Sequence, residues 1–389
     1  MINSGLWLLL IALALFSGWY VGFQMRLNQG AKRFRFHRDY IIGLNYLLNE
    51  EPDKAVDIFI KMLQVDTKTV ETHLALGSLF RRRGELDRAI RIHQHLIEKS
   101  DLDKDQRVQS LVELGKDYLS AGVLDRAEDV FKKVIHVDDN PLKSLYALLD
   151  IYQQEKDWIK AIKIAKQVEL VSGKRMYSVI AHYYCEMAEA AIAQQQSQDA
   201  LRDVKKALSI DKNCARASLI KGRIEYEAAE YSAAIKTLKK IESQNPRQLY
   251  EAMDVLVKCY HAEGNGQALQ QLLTQWVERY PASPIIFTLI ETLRSYEGDE
   301  AALQVLVNYI HQYPSFSALG VLLELRLLVA SEFAHNTDIV MLDQLTRSLL
   351  AKKAPYRCER CGFSSRKIQW QCPSCKTWDS VNREELTAV

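Results

Sequence analysis

The feature that most constrains this chain is an alanine that returns at a nearly fixed spacing. Ala55, Ala89, Ala127, Ala161, Ala200, Ala234, Ala268 and Ala302 are separated by 34, 38, 34, 39, 34, 34 and 34 residues. Four residues after each stands Phe59, His93, Phe131, Ala165, Val204, Leu238, Leu272 or Leu306. Twelve before each stands a small or apolar residue, which is glycine at Gly43, Gly77, Gly115 and Gly222. A period of this length describes two antiparallel helices that cross where the small residues sit. Such a pair cannot bury its apolar face alone, so the units must stack.

The third unit shows the physics. In RVQSLVELGKDYLSAG, residues Val108, Leu111, Val112, Gly115, Tyr118 and Leu119 fall on one helical face at three- and four-residue steps. Gly122 marks the turn, and Leu124, Ala127, Val130, Phe131 and Val134 form the apolar face of a second helix. Asn140-Pro141 then breaks the chain. The pattern resembles the tetratricopeptide repeat. It predicts an all-α solenoid of about eight repeats over residues 39–316. The eight prolines and sixteen glycines are few for 389 residues, which agrees with helix. The extra residues behind the 38 and 39 spacings, near Ser100–Gln106 and Val171–Met176, are expected to be longer loops. Ala318–Ala330 and Ile339–Lys352 are expected to be capping helices within residues 317–354, covering the last repeat. Cys185, Cys214 and Cys259 read as single buried thiols. His93 and His95 stand two apart, so they point in different directions and make a poor metal pair. Arg81–Arg83 reads as a solvated helix end.

At the N-terminus, Leu6–Phe23 carries no charged side chain and lies inside an uncharged run from Met1 to Met25. Eighteen helical residues rise roughly 27 Å, close to the roughly 30 Å hydrocarbon core of a bilayer. Residues 1–25 are therefore expected to be a transmembrane anchor, with Trp7, Trp19 and Tyr20 at headgroup level. A cleaved signal peptide would begin with basic residues, and MINSGLW has none. Residues 26–38 form a basic linker with Arg26, Lys32, Arg33, Arg35 and Arg38 and no acid. By the positive-inside rule, the bulk of the chain is expected on the cytoplasmic side. Gly18 and Gly22 offer a G-x-x-x-G face for a second span, either of a partner or of another copy. The linker's five positive charges and the three net positive charges of Lys353–Val389 leave six net negative charges between, since the whole chain is +2. A mildly acidic array is a poor nucleic-acid surface, and no nucleic-acid partner is expected.

Residues 355–389 carry the chemistry. Cys358 and Cys361, then Cys372 and Cys375, form two C-x2-C pairs separated by ten residues. Each pair makes a knuckle presenting two thiolates, and two knuckles complete a tetrahedral sulfur site for one iron or zinc ion. A reducing compartment disfavours disulfides. With all four positions filled by protein, no position remains for an activated water. Trp370 and Trp378 are expected to cover the ribbon's small core. No phosphate loop, H-E-x-x-H or G-x-S-x-G occurs, and no enzyme activity is expected.

The order of the three parts, with CERCG and CPSC at the end, resembles the lipopolysaccharide assembly protein B family of Gram-negative bacteria. These are membrane-anchored tetratricopeptide proteins with a rubredoxin-type C-terminal domain. The resemblance implies a cytoplasm-facing adaptor of the bacterial inner membrane. It implies that the chain presents the deacetylase LpxC to the membrane AAA+ protease FtsH and coordinates lipopolysaccharide synthesis or transport proteins. Compared with rubredoxin, Lys376 replaces the glycine expected after the second pair and the inter-knuckle loop is shorter, which counts against electron transfer. The alternatives are a repeat scaffold for a different membrane complex, or a ribbon that binds nucleic acid or transfers electrons.

Overall fold

The computed structural model describes residues 70–98, 102–329 and 337–384, with 17, 19–20, 41–46, 54–55 and 57–58. Among these residues no helix is long and apolar enough to cross a membrane. Nearly all of the expected anchor, all of the basic linker 26–38 and most of the first repeat lie outside them. The chain divides into two compact units, Met1–Gly173 and Lys174–Val389.

In the first unit the helix pairs are α1 Val70–Arg82 with α2 Leu86–Ile97, α3 Lys104–Ser120 with α4 Leu124–Val137, and α5 Leu142–Glu155 with α6 Trp158–Ser172. Left-handed residues close the turns: Gly84 at φ +81°, Gly122 at +72° and Lys156 at +57°. The last is a lysine held in a conformation that only glycine adopts without strain. Ala55, Ala89, Ala127 and Ala161 are fully buried. The glycines twelve residues earlier have a direct cause. A Cβ on Gly77 would come within 2.4 Å of the His93 ring, and one on Gly115 within 2.7 Å of Phe131. The two small-residue phases are thus the two sides of one helix crossing.

Two readings of this unit require correction. Arg81 is no solvated helix end: its side chain is 17% exposed, and Nη1 donates to Asp117 Oδ1 at 2.7 Å while Nη2 donates to Glu113. The other carboxylate oxygen of Asp117 meets His93 Nδ1, so a polar network links the second and third repeats. Burial alone would push the Glu113 carboxyl up, but hydrogen bonds from Lys116 and Arg81 hold it down at about 2. The second correction concerns the extra residues. They go partly into helix: α3 has 17 residues against 14 in α5 and begins at Lys104, inside the segment expected to be a loop.

The second unit begins with α7 Tyr177–Ala193 and α8 Ser197–Ile210, then α9 Ala215–Glu227 and α10 Tyr231–Lys239. Here too the first helix has 17 residues, against 13 in α9. A one-turn helix Ile241–Gln244 and a 3-10 segment Pro246–Ala252 lead to α11 Met253–Ala262 and α12 Gly266–Arg279. Next come α13 Ile285–Tyr296 with α14 Asp299–Gln312, and finally α15 Phe316–Val329 and α16 Thr337–Lys352. One apolar core runs from Ala215 to Leu325. Gly222 and Leu238 repeat the glycine crossing, with a Cβ at 2.5 Å. The register slips once. Ala268 is only half-buried, and Leu269, Leu272, Leu273 and Trp276 take the places that Ala234 and its followers hold one repeat earlier. Both terminal segments are helical, and α16 turns Met341, Leu342, Leu345 and Leu349 outward, so the array does not end on a polar face.

Candidate metal centre

Beyond α16 the chain forms a three-stranded antiparallel sheet in the order β2-β1-β3, from β1 Tyr356–Cys358, β2 Ser364–Ser365 and β3 Val381–Arg383. Tyr356 pairs with Ser365 on one side and Arg383 on the other. β1 ends on the first ligand candidate. The first knuckle closes with Cys358 N–H donating to Phe363 O at 2.8 Å and Gly362 N–H to Cys358 O at 2.9 Å. The second repeats it, Cys372 N–H to Thr377 O at 2.9 Å and Lys376 N–H to Cys372 O at 2.8 Å. Gly362 sits at φ +76° and Lys376, at the equivalent place, at +56°. The lysine thus adopts the glycine conformation, at a cost of roughly 1–2 kcal/mol.

The knuckles bring all four cysteines together. Their sulfurs lie within 4.8 Å of one another, with Cys358 and Cys375 at 3.7 Å and Cys361 and Cys372 at 3.6 Å. A metal–sulfur bond of about 2.3 Å gives a tetrahedral edge of about 3.8 Å, so the cluster already has the size of a four-thiolate site. The thiols are unequal. Burial would raise Cys358, but its hydrogen bond with Ser380 Oγ and those from the N–H groups of Cys361 and Arg360 hold it down at about 6. Burial raises Cys372 to about 11. Hydrogen bonds with the side chain and N–H of Thr377 lower Cys375. A bound cation would favour the thiolate at every position.

The ribbon's own core is small, built on Tyr356, Cys358, Cys372 and Val381. Its two tryptophans do not cover this core alone; they face the repeats. Trp378 stacks on His182 at 5.1 Å and meets the Tyr183 ring edge-on at 5.7 Å. Trp370 lies beneath the guanidinium of Arg216 at 5.4 Å. Arg216 is 2% exposed and is bonded to Glu186 and Glu189 at 2.8 and 2.9 Å. The 3-10 segment completes the seat. Tyr356 Oη donates to Glu251 at 2.8 Å, Gln248 donates to Asp379, Arg247 pairs with Glu359, and Arg383 lies over Tyr250 at 4.1 Å. Burial, then Arg216, pushes His182 down to about 3, so it packs as a neutral ring.

None of these seat residues was singled out in the sequence. Arg216 had a signal: a cation amid the small and apolar residues of NCARASLIKG, where burial requires paired acids. Cys185 and Cys214, read as single thiols, bring their sulfurs to 3.9 Å inside the core beside this seat.

Comparison with known proteins follows the same division. Residues 356–382 match the family described as rubredoxin metal binding domain. Residues 72–107 and 185–248 match tetratricopeptide repeats. Lipopolysaccharide assembly protein B of Escherichia coli strain K12 is 36% identical over 374 residues, 96% of each chain. The Haemophilus influenzae protein of the same name is 29% identical over 382 residues, again 96% of each. Repeats, ribbon and their order are thus shared nearly end to end, and this chain belongs to the lipopolysaccharide assembly protein B family.

Proposed function

We propose that the chain is a membrane-tethered, cytoplasm-facing adaptor that promotes degradation of the deacetylase LpxC by the membrane protease FtsH, and so sets the supply for lipopolysaccharide assembly. One observation supports this most: the match to proteins named for lipopolysaccharide assembly spans 96% of both chains. Those proteins are named for assembly and not for a reaction, and the chain acts without catalysing one. Residues 1–25 hold it at the inner membrane, the basic segment 26–38 keeps the bulk inside, and the repeats of 39–316 with the cap of 317–354 capture partners. A tether beside a membrane protease raises the effective concentration of captured substrate, so modest affinity suffices.

In this reading Cys358, Cys361, Cys372 and Cys375 hold one ion, iron or zinc. A filled four-thiolate site supplies folding energy. Its task is to keep residues 355–389 seated on the repeats through Trp370 and Trp378, so that the ribbon packs against the array or completes its binding surface. Deleting residues 1–23 tests the tether: folded protein is expected to remain while LpxC levels rise, and normal LpxC levels would contradict it. In vivo crosslinking from the repeats is expected to recover FtsH and LpxC; recovery of an unrelated membrane complex alone would favour a different scaffold role.

A further inference from the structure

A cleft of about 660 Å³ opens where the ribbon meets the repeats, beside the sulfur cluster. Four cationic side chains line it, Arg247, Lys353, Arg357 and Arg383, against two carboxylates, Glu359 and Glu384. The pairs account for most of them. Arg247 binds Glu359, Lys353 Nζ reaches Glu384 at 3.2 Å, and Arg383 lies over Tyr250. Arg357 has only a distant ion pair, 3.8 Å to Glu384, and its side chain is 62% exposed. Gly362 lies beside it, with Arg357 Nη2 3.8 Å from the position a Cβ there would take. Cys358 lines the cleft too, but it is 1% exposed, with its Sγ 3.3 Å from Ser380 Oγ, so the thiol offers the open space almost no surface.

We propose that this cleft binds a phosphate monoester, with Arg357 as its bidentate anchor. Arg357, whose one ion pair is long, and the excess of four cations over two carboxylates suit a group carrying about −1.5 to −2 at pH 7. Three of the four cations are arginines, whose planar fork fits phosphate oxygens in a way lysine cannot reproduce. The volume also admits the body to which the phosphate is attached, of about sugar size. An acidic peptide would spread its charges along a strip, whereas here they converge on one cleft.

The test uses the full-length, metal-loaded chain in phosphatidylcholine nanodiscs at low salt. Glucose 6-phosphate and the short-chain lipid dihexanoyl phosphatidic acid are titrated separately by calorimetry. At least one is expected to bind saturably. Tighter binding of the lipid marks a headgroup as the source, tighter binding of the sugar a soluble ester, and equal binding the phosphate alone. Arg357→Gln is expected to weaken binding by about tenfold or more, as loss of one charge-assisted bidentate pair does. Arg357→Lys should restore part of it, and Arg202→Gln on α8 should leave it unchanged, with helical signal and metal content constant throughout. Absence of saturable heat with both phosphates overturns the proposal. So does equal affinity in Arg357→Gln, or stronger binding of a polyglutamate peptide.

Discussion

Single atoms decide the helix crossings. Gly115 lies against Phe131, which is 1% exposed, so a methyl group there has nowhere to go. Overpacking costs about 1–3 kcal/mol, while replacing a helical glycine by alanine returns about 1 kcal/mol. Gly115→Ala is therefore expected to destabilise by about 1 kcal/mol net in a denaturant melt, and Gly115→Ala with Phe131→Leu to regain it; a stabilised single variant would refute the crossing. A second prediction follows from His182. The unfolded chain protonates this imidazole below about pH 6.5, whereas the folded chain resists protonation down to about 3. Between those values the unfolded state binds more protons, so stability falls as pH drops from 6.5 toward 3. His182→Phe is expected to flatten that slope in melts of the second unit, and an unchanged slope would place the titration elsewhere. Much at this scale was legible in the sequence. The alanine and glycine phases mark contacts within one helix pair, where periodicity alone fixes which side chains meet. Leu269 was not, because Ala268 keeps the 34-residue count while the helix buries its neighbour.

At the scale of elements, the ribbon and the repeats form one assembly within the second unit. Its contacts join residues far apart in the chain, Trp378 with His182 and Tyr356 with Glu251, and no local pattern announces such pairs. The two knuckles were legible because ligand spacing is local; the seat was not. Trp378→Ala removes one stacked and one edge-on ring contact, a loss of about 1–3 kcal/mol. It is expected to speed proteolytic cleavage between Lys352 and Tyr356 while leaving metal content intact. Loss of the metal in the same variant would mean that the seat builds the site and not the reverse. The lengthened α3 and α7 belong here too. Extra residues between repeats were expected in loops, but a helix gains a hydrogen bond for each residue added, and only two adjoining faces need accommodate the extra turn.

For the whole molecule, the division of labour separates what holds the helices from what holds the ribbon. Chelation is expected to leave the helical signal nearly unchanged, because the repeat core from Ala215 to Leu325 contains no thiolate cluster. The midpoint of the second unit should still fall by roughly 5–10 °C, the equivalent of about 2–3 kcal/mol of seating in a unit of this size. A Cys358→Ser, Cys372→Ser variant should show the same shift without chelator, and full metal content in that variant would exclude the four-sulfur site. The seat has one more consequence. Arg216 lies buried over Trp370 with its guanidinium shared between Glu186 and Glu189, so the C-terminal piece is fitted to a ring position that the α7–α9 stretch prepares. A chimera that grafts a distant cousin's tail onto this body is expected to keep both ion pairs and to lose the ring that covers the cation, unless the receiving helices are exchanged along with the tail.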